Sequence, residues 1–214
     1  MKLGIYEPGV PDKPTSFTAT GNGTSVDLAW EIDSDGGSDV TKVEYQHRED
    51  GDAWPTDWEE IYNTEDGESV VNSKTVSGLD VGNKYNFKLR AINAVGTSSD
   101  SSTKSAYTKP AAPTGLTTTS VGGTSINLSW DDPQNDSITV YEYATSSGGD
   151  WNEIADSNDT TSTTSITNLA TGTAYTIELR AVNDAGDSDA ASIAVTTALS
   201  DLSLIHISEP TRPY

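Results

Sequence analysis

Apolar residues in this chain alternate with polar ones in short runs, and no stretch holds them at helical spacing over three turns. Val26, Leu28 and Trp30 form one such run, and Ile126, Leu128 and Trp130 form another. Tyr85, Phe87, Leu89 and Ala91 alternate in the same way, as do Tyr175, Ile177, Leu179 and Ala181. Shorter runs are Val43 with Tyr45 and Tyr141 with Tyr143. A period of two is what a half-buried strand requires, because successive side chains point to opposite faces. Clusters of Gly, Asn, Asp and Ser at 21–23, 34–37, 81–83 and 147–149 separate the runs as turns. The pattern predicts an all-β protein of many short strands, arranged as a sandwich.

The runs also repeat. The segment 26–30 matches 126–130, and Leu79, Tyr85, Leu89, Arg90, Ala91, Asn93 and Gly96 match Leu169, Tyr175, Leu179, Arg180, Ala181, Asn183 and Gly186. The spacing shrinks between these two blocks, which places an insertion in the first unit around 50–57, ahead of the paired Trp58 and Trp151. A repeat of this length in 214 residues means two domains of similar build.

Several positions together resemble fibronectin type III domains: an opening proline (Pro14, Pro113), a tryptophan on the second strand (Trp30, Trp130), a leucine (Leu79, Leu169) and a tyrosine six residues on (Tyr85, Tyr175). The run Arg90 to Asn93, repeated at Arg180 to Asn183, completes the likeness, which covers about 11–198. The resemblance implies two immunoglobulin-like, seven-stranded β-sandwiches in tandem, with these Trp, Leu and Tyr residues as structural anchors and each Tyr hydroxyl bonded to a nearby corner of backbone. It divides the chain into 1–10 as a linker or the end of a preceding domain, 11–108 as the first domain, 109–112 as a semi-rigid proline-containing linker, and 113–199 as the second domain. In that fold the third and sixth strands are neighbours, so outward-facing Arg180 should meet Glu142, and Arg90 should meet Glu44. The alternative for each arginine is stacking on a neighbouring aromatic ring.

Residues 200–214 stand apart as a non-native or disordered tail. From Leu202 to Arg212 they resemble, residue for residue, the translation of a transposase-type sequencing-library adapter.

Charge narrows the partners. With 33 acidic against 12 basic residues the net charge is −21, and Arg180 is the sole base between positions 110 and 200. Nucleic acid and anionic membrane surfaces are poor partners for such a chain, since both select for Lys and Arg. The chain has no cysteine, which removes disulfides and thiolate chemistry. No apolar run approaches the ~18 residues that insertion into a membrane requires.

Candidate chemistry is thin. His47 has no converging partner for a triad or a metal site in the sequence. Asp33, Asp35 and Asp39 alternate about a glycine turn and form a candidate calcium loop, but they lack the span of an EF-hand. Trp54 and Trp58, with Tyr62 close by, form a candidate ligand-binding platform on which a sugar ring could stack. The integrin-binding Arg-Gly-Asp of one branch of the resembled family does not occur. No catalytic residue and no cofactor is expected. The family resemblance implies an extracellular or cell-surface setting and a non-catalytic spacer or interaction module of a larger secreted or surface-anchored microbial protein. Its partners would be other domains of the same polypeptide, protein or glycan. The alternatives are a ligand-binding adhesin or carbohydrate-binding accessory module and, third, a phage or virion structural protein.

Overall fold

A computed structural model describes residues 7–133, 137–154 and 162–200. The adapter-like stretch lies outside these residues. The first domain holds β1 (Thr15–Asn22), β2 (Ser25–Glu31), β3 (Val40–Glu49), β4 (Glu59–Asn63), β5 (Ser73–Val76), β6 (Lys84–Asn93) and β7 (Lys104–Tyr107). They form two antiparallel sheets, ordered β1-β2-β5 and β4-β3-β6-β7. The second domain repeats the plan with β8 (Thr114–Val121), β9 (Ile126–Asp131), β10 (Val140–Ala144), β11 (Asn152–Glu153), β12 (Thr163–Ile166), β13 (Ala174–Asn183), β14 (Gly186–Asp187) and β15 (Ala191–Thr196). Its sheets are β12-β9-β8 and β11-β10-β13, with β14 and β15 both pairing β13. The last two segments are one seventh strand broken in the middle, so the sandwich expected from the alternating pattern is present in both halves.

Each domain has its own core. Val26, Leu28 and Trp30 of the first sheet face Val43, Tyr45, Phe87, Leu89 and Ala91 of the second, all buried. In the second domain Ile126, Leu128 and Trp130 face Tyr141, Ile177, Leu179 and Ala181. Trp130 and Tyr141 meet at a ring-centroid distance of 5.1 Å. Leu79 is buried at the corner before β6, while Leu169 is half-buried against the second core. The tyrosine hydroxyls do what the family resemblance implied. The Asp80 N–H donates to the Tyr85 hydroxyl at 3.1 Å, and the Ala170 N–H donates to that of Tyr175 at 2.9 Å. Burial and the Glu59 carboxylate, which accepts from the Tyr45 hydroxyl at 2.5 Å, hold that phenol well above its ordinary range.

The two domains differ most at β3, which has ten residues where β10 has five. The extra length assigned by sequence to a loop at 50–57 is therefore partly strand. β3 runs on beside β6 as far as Glu49 opposite Tyr85, and only then turns.

Candidate functional site

Two places in this fold concentrate interactions: the outer face of the β3–β6 sheet and the junction between domains. On the outer face, alternation sets Glu44, Gln46 and Arg48 of β3 beside Arg90, Lys88 and Asn86 of β6. The segment after β3 folds back across them. Gln46 is 3% exposed on this otherwise wet face because its amide lies under that segment, donating to the Pro55 and Asp57 carbonyls at 2.8 and 3.0 Å. The strap lays two indoles among the cations. The Arg48 guanidinium and the Lys88 ammonium lie 4.7 and 4.8 Å from the Trp54 ring centre, and Lys88 and Arg90 lie 5.0 and 4.2 Å from that of Trp58. Arg48 also donates to the Asp52 carbonyl inside the strap. The result is a ladder in which cations and indoles alternate, each contact favoured by the ring quadrupole.

Two of the ladder's three cations also pair with carboxylates. Arg90 donates to one Glu44 oxygen through Nε at 2.8 Å and Nη2 at 2.6 Å, and Lys88 reaches Asp100 at 2.9 Å. In the second domain Arg180 repeats the pair with Glu142 at 2.7 and 2.6 Å and adds Asp187 at 2.6 Å. Its guanidinium lies 4.1 Å from the Trp151 ring centre. The sequence posed ion pair and aromatic stacking as alternatives, but both arginines do both at once. In a double-mutant cycle of Arg90→Met with Glu44→Gln, urea unfolding should give a coupling of about 0.5–1 kcal/mol that shrinks as salt rises. Coupling near zero would leave the pair without energetic weight.

The structure brings Trp54 and Trp58 to one surface and separates Tyr62 from them. Tyr62 is 2% exposed in the core. A register shift between Val43 and Glu44 sets Tyr62 opposite inward-facing Val43, although Glu60, two residues earlier, stands opposite outward-facing Glu44. Asp33, Asp35 and Asp39 are all exposed. The oxygens of their loop serve the protein: Asp35 Oδ1 accepts from the Gly37 N–H at 2.7 Å, Ser34 O from Asp12 N–H at 2.9 Å, and Gly36 O from Gly9 N–H at 2.8 Å. Among the described residues no three His, Asp or Glu side chains gather where they could hold a metal ion. His47 stacks between Tyr45 and Phe87 at centroid distances of 5.9 and 6.0 Å, with Nδ1 3.2 Å from Glu59.

The junction is the second concentration, and sequence reasoning saw in it only a proline linker. Thr108 is fully buried, and its hydroxyl donates to the Asp80 carbonyl at 2.8 Å while accepting from the Asn83 N–H at 3.2 Å. Its carbonyl accepts from the side-chain amide of Asn183 in the second domain at 2.9 Å. The Gly23 N–H, in the turn between β1 and β2, donates to the Ala185 carbonyl at 2.7 Å, and the Lys109 N–H donates to the Gly23 carbonyl at 2.8 Å. Gly21 lies so close that a β-carbon there would sit 2.1 Å from the Tyr107 carbonyl oxygen and 2.7 Å from the Ala185 methyl. An ion pair of Lys109 with Asp189 at 2.9 Å closes the rim.

Comparison with known proteins gives a consistent picture. The family model of the fibronectin type III domain matches residues 12–107 and 111–198. The chain is similar to the cell adhesion molecule DSCAM of Gallus gallus, 27% identical over 216 residues, which cover 94% of this chain and 10% of that protein. It is also similar to Chitinase A1 of Niallia circulans, 31% identical over 206 residues, covering 88% of this chain and 25% of that protein. The chain thus spans only a small part of these relatives. A solved two-domain segment from chicken tenascin, 20% identical, covers 87% of this chain and 100% of its own with a TM-score of 0.44.

Proposed function

The chain belongs to the fibronectin type III family in both of its halves, and on that premise we propose that it is a stiff spacer, a non-catalytic segment that sets the distance and direction between other parts of a larger secreted or cell-surface protein. Similarity to an adhesion molecule supports the setting, and family membership supports the lack of catalysis. The observation that carries the reading is the junction. Backbone and side-chain hydrogen bonds run directly from one domain to the other through Gly23, Ala185, Thr108 and Asn183. A flexible linker would leave these groups to water, and each bond made instead within the junction contributes about 0.5–1.5 kcal/mol net.

The absence of native cysteine makes the test clean, since labels can be placed one pair at a time. Spin labels at Ser73→Cys and Thr163→Cys, at matching places on β5 and β12, should give a single narrow distance distribution by electron–electron dipolar spectroscopy. A broad distribution would overturn the spacer reading.

A carbohydrate-accessory role has one observation in its favour, the similarity to a chitinase. Against it, the cations of the ladder already lie over the Trp54 ring. Glycan-array binding that disappears with Trp54→Ala would establish that second reading.

A further inference from the structure

We propose that the N-terminal pole of the first domain is a socket for one more fibronectin type III domain, lying ahead of it in the same polypeptide and docking through the turn between its first two strands. This rests on the spacer reading and extends it to a surface that has no partner among the described residues.

The junction within the chain shows how such a socket works. Asn183, 6% exposed, accepts the Ala185 N–H on its Oδ1 at 2.9 Å. Its amide holds the incoming Thr108 carbonyl at 2.9 Å and the Ser137 hydroxyl at 2.8 Å. The tight turn so formed offers the Ala185 carbonyl and methyl to Gly23 and Gly21 of the preceding domain. Asn93 builds the same object on the first domain. It is 4% exposed, and its Oδ1 accepts from the Val95 and Gly96 N–H groups at 2.9 and 3.1 Å. Its amide donates to the incoming Gly9 carbonyl at 2.8 Å and to the Asp35 carbonyl at 2.7 Å.

Gly9 therefore stands where Thr108 stands at the inner junction, and Val95 where Ala185 stands. The difference is in what covers them. Ala185 is 9% exposed, whereas Val95 is 50% exposed and Val10, close by against Gly96, is 46% exposed. An adjoining apolar pair at a pole already shaped like an occupied joint is the surface that a neighbouring domain would cover.

The chemistry of the mate follows from the inner joint. Its turn needs a backbone N–H for the Val95 carbonyl, as Gly23 supplies to Ala185, and a glycine where Gly21 stands, since any side chain there would strike the turn it docks on. The far pole of the second domain repeats much of the departing geometry, with the Thr197 hydroxyl donating to the Ala170 carbonyl at 2.6 Å and the Ala198 N–H to the Gly122 carbonyl at 2.9 Å. Yet it carries Val121 in the register position of Gly21, opposite Ile126 as Gly21 is opposite Val26. The socket thus selects a domain with the turn of the first domain rather than that of the second.

The test is a three-domain chain in which residues 7–108 are joined directly to 10–200, so that Thr108 supplies the carbonyl that Gly9 now gives to Asn93. Spin labels at Ser73→Cys in the two copies of the first domain report the new joint, and the Ser73→Cys, Thr163→Cys pair reports the native one. The expected result is a new-joint distribution as narrow as the native one, broadened at least twofold by Val95→Asp in the middle domain. Val95 is half exposed, so an unchanged melting temperature will confirm that this variant folds. A broad new joint beside a narrow native joint would overturn the socket and leave the spacer reading standing. A narrow joint indifferent to Val95→Asp would also overturn it. So would Val95-dependent dimers of the two-domain chain in sedimentation, since the occupant would then be a second copy.

Discussion

Trp30→Ala is expected to cost the first domain about 3–5 kcal/mol, and Trp130→Ala the same in the second, with each loss confined to its own half. Both indoles are almost fully buried between the two sheets, and the two cores share no residue. Deleting a ring at the centre of a thin sandwich opens a cavity that the facing strands are too well paired to close. A domain of this size holds roughly 5–10 kcal/mol in total, so the variant half should unfold in part under mild conditions while its neighbour stays folded. Hydrogen exchange resolved by peptide separates the halves, which a single transition for the whole chain would blur. A loss below about 1 kcal/mol in either domain would mean that its tryptophan is not the core residue described. Trp130 should be the costlier of the two, because its removal also strips the ring contact with Tyr141.

Asn93→Ala should be the next most damaging change, at about 3 kcal/mol. The side chain fills no large volume, so the effect is polar. It would orphan the Val95 and Gly96 N–H groups and the Gly9 and Asp35 carbonyls together. Each unsatisfied group buried from water costs about 1–3 kcal/mol, offset where the loop can open to solvent. The loop 33–39 and the segment before Thr15 should then lose exchange protection together. Asn183→Ala should show the same signature in the second domain, and it should also broaden the distances across the junction. Equilibrium urea unfolding measures the first effect. A cost under about 1 kcal/mol would show that water replaces the amide at little expense.

Most of the sandwich was legible because its cause is local. Period-two alternation decided which side chains of β2, β6, β9 and β13 face inward, and the Arg–Glu partners followed from the same parity once the third and sixth strands were set side by side. The strap was only half legible. Trp54 and Trp58 were conspicuous, but nothing in their spacing told that Arg48 just before them, and Lys88 and Arg90 much further along the chain, would lie over them. Tyr62 went astray for a definite reason: Ile61 is an extra residue in its own strand, β4, and a one-residue slip of that kind reverses the face without altering the residues themselves. The junction was the least legible. Its bonds are made by backbone carbonyls and amides, which carry no side-chain signature, and by Asn183, which the repeat marked without telling what it would hold.

The interruption of the seventh strand has a consequence for how such a chain survives synthesis. Ahead of β7 the Ala91 and Leu89 amides donate to the hydroxyls of Ser98 and Ser101 at 3.0 Å each, and the Ala181 amide donates to that of Ser188 at 3.0 Å. Side chains there take ladder positions that a straight strand would fill with backbone, so the seventh strand pairs in regular register only along β7 and along β15, and the margin it leaves is short. A straight margin would be a template for the matching strand of the next domain, which has nearly the same pattern and is tethered at very high local concentration. Two look-alike domains emerging in succession are prone to exchange strands or to aggregate edge to edge. The serines blunt that route without adding charge, leaving the chain's large negative charge to discourage encounters between separate molecules.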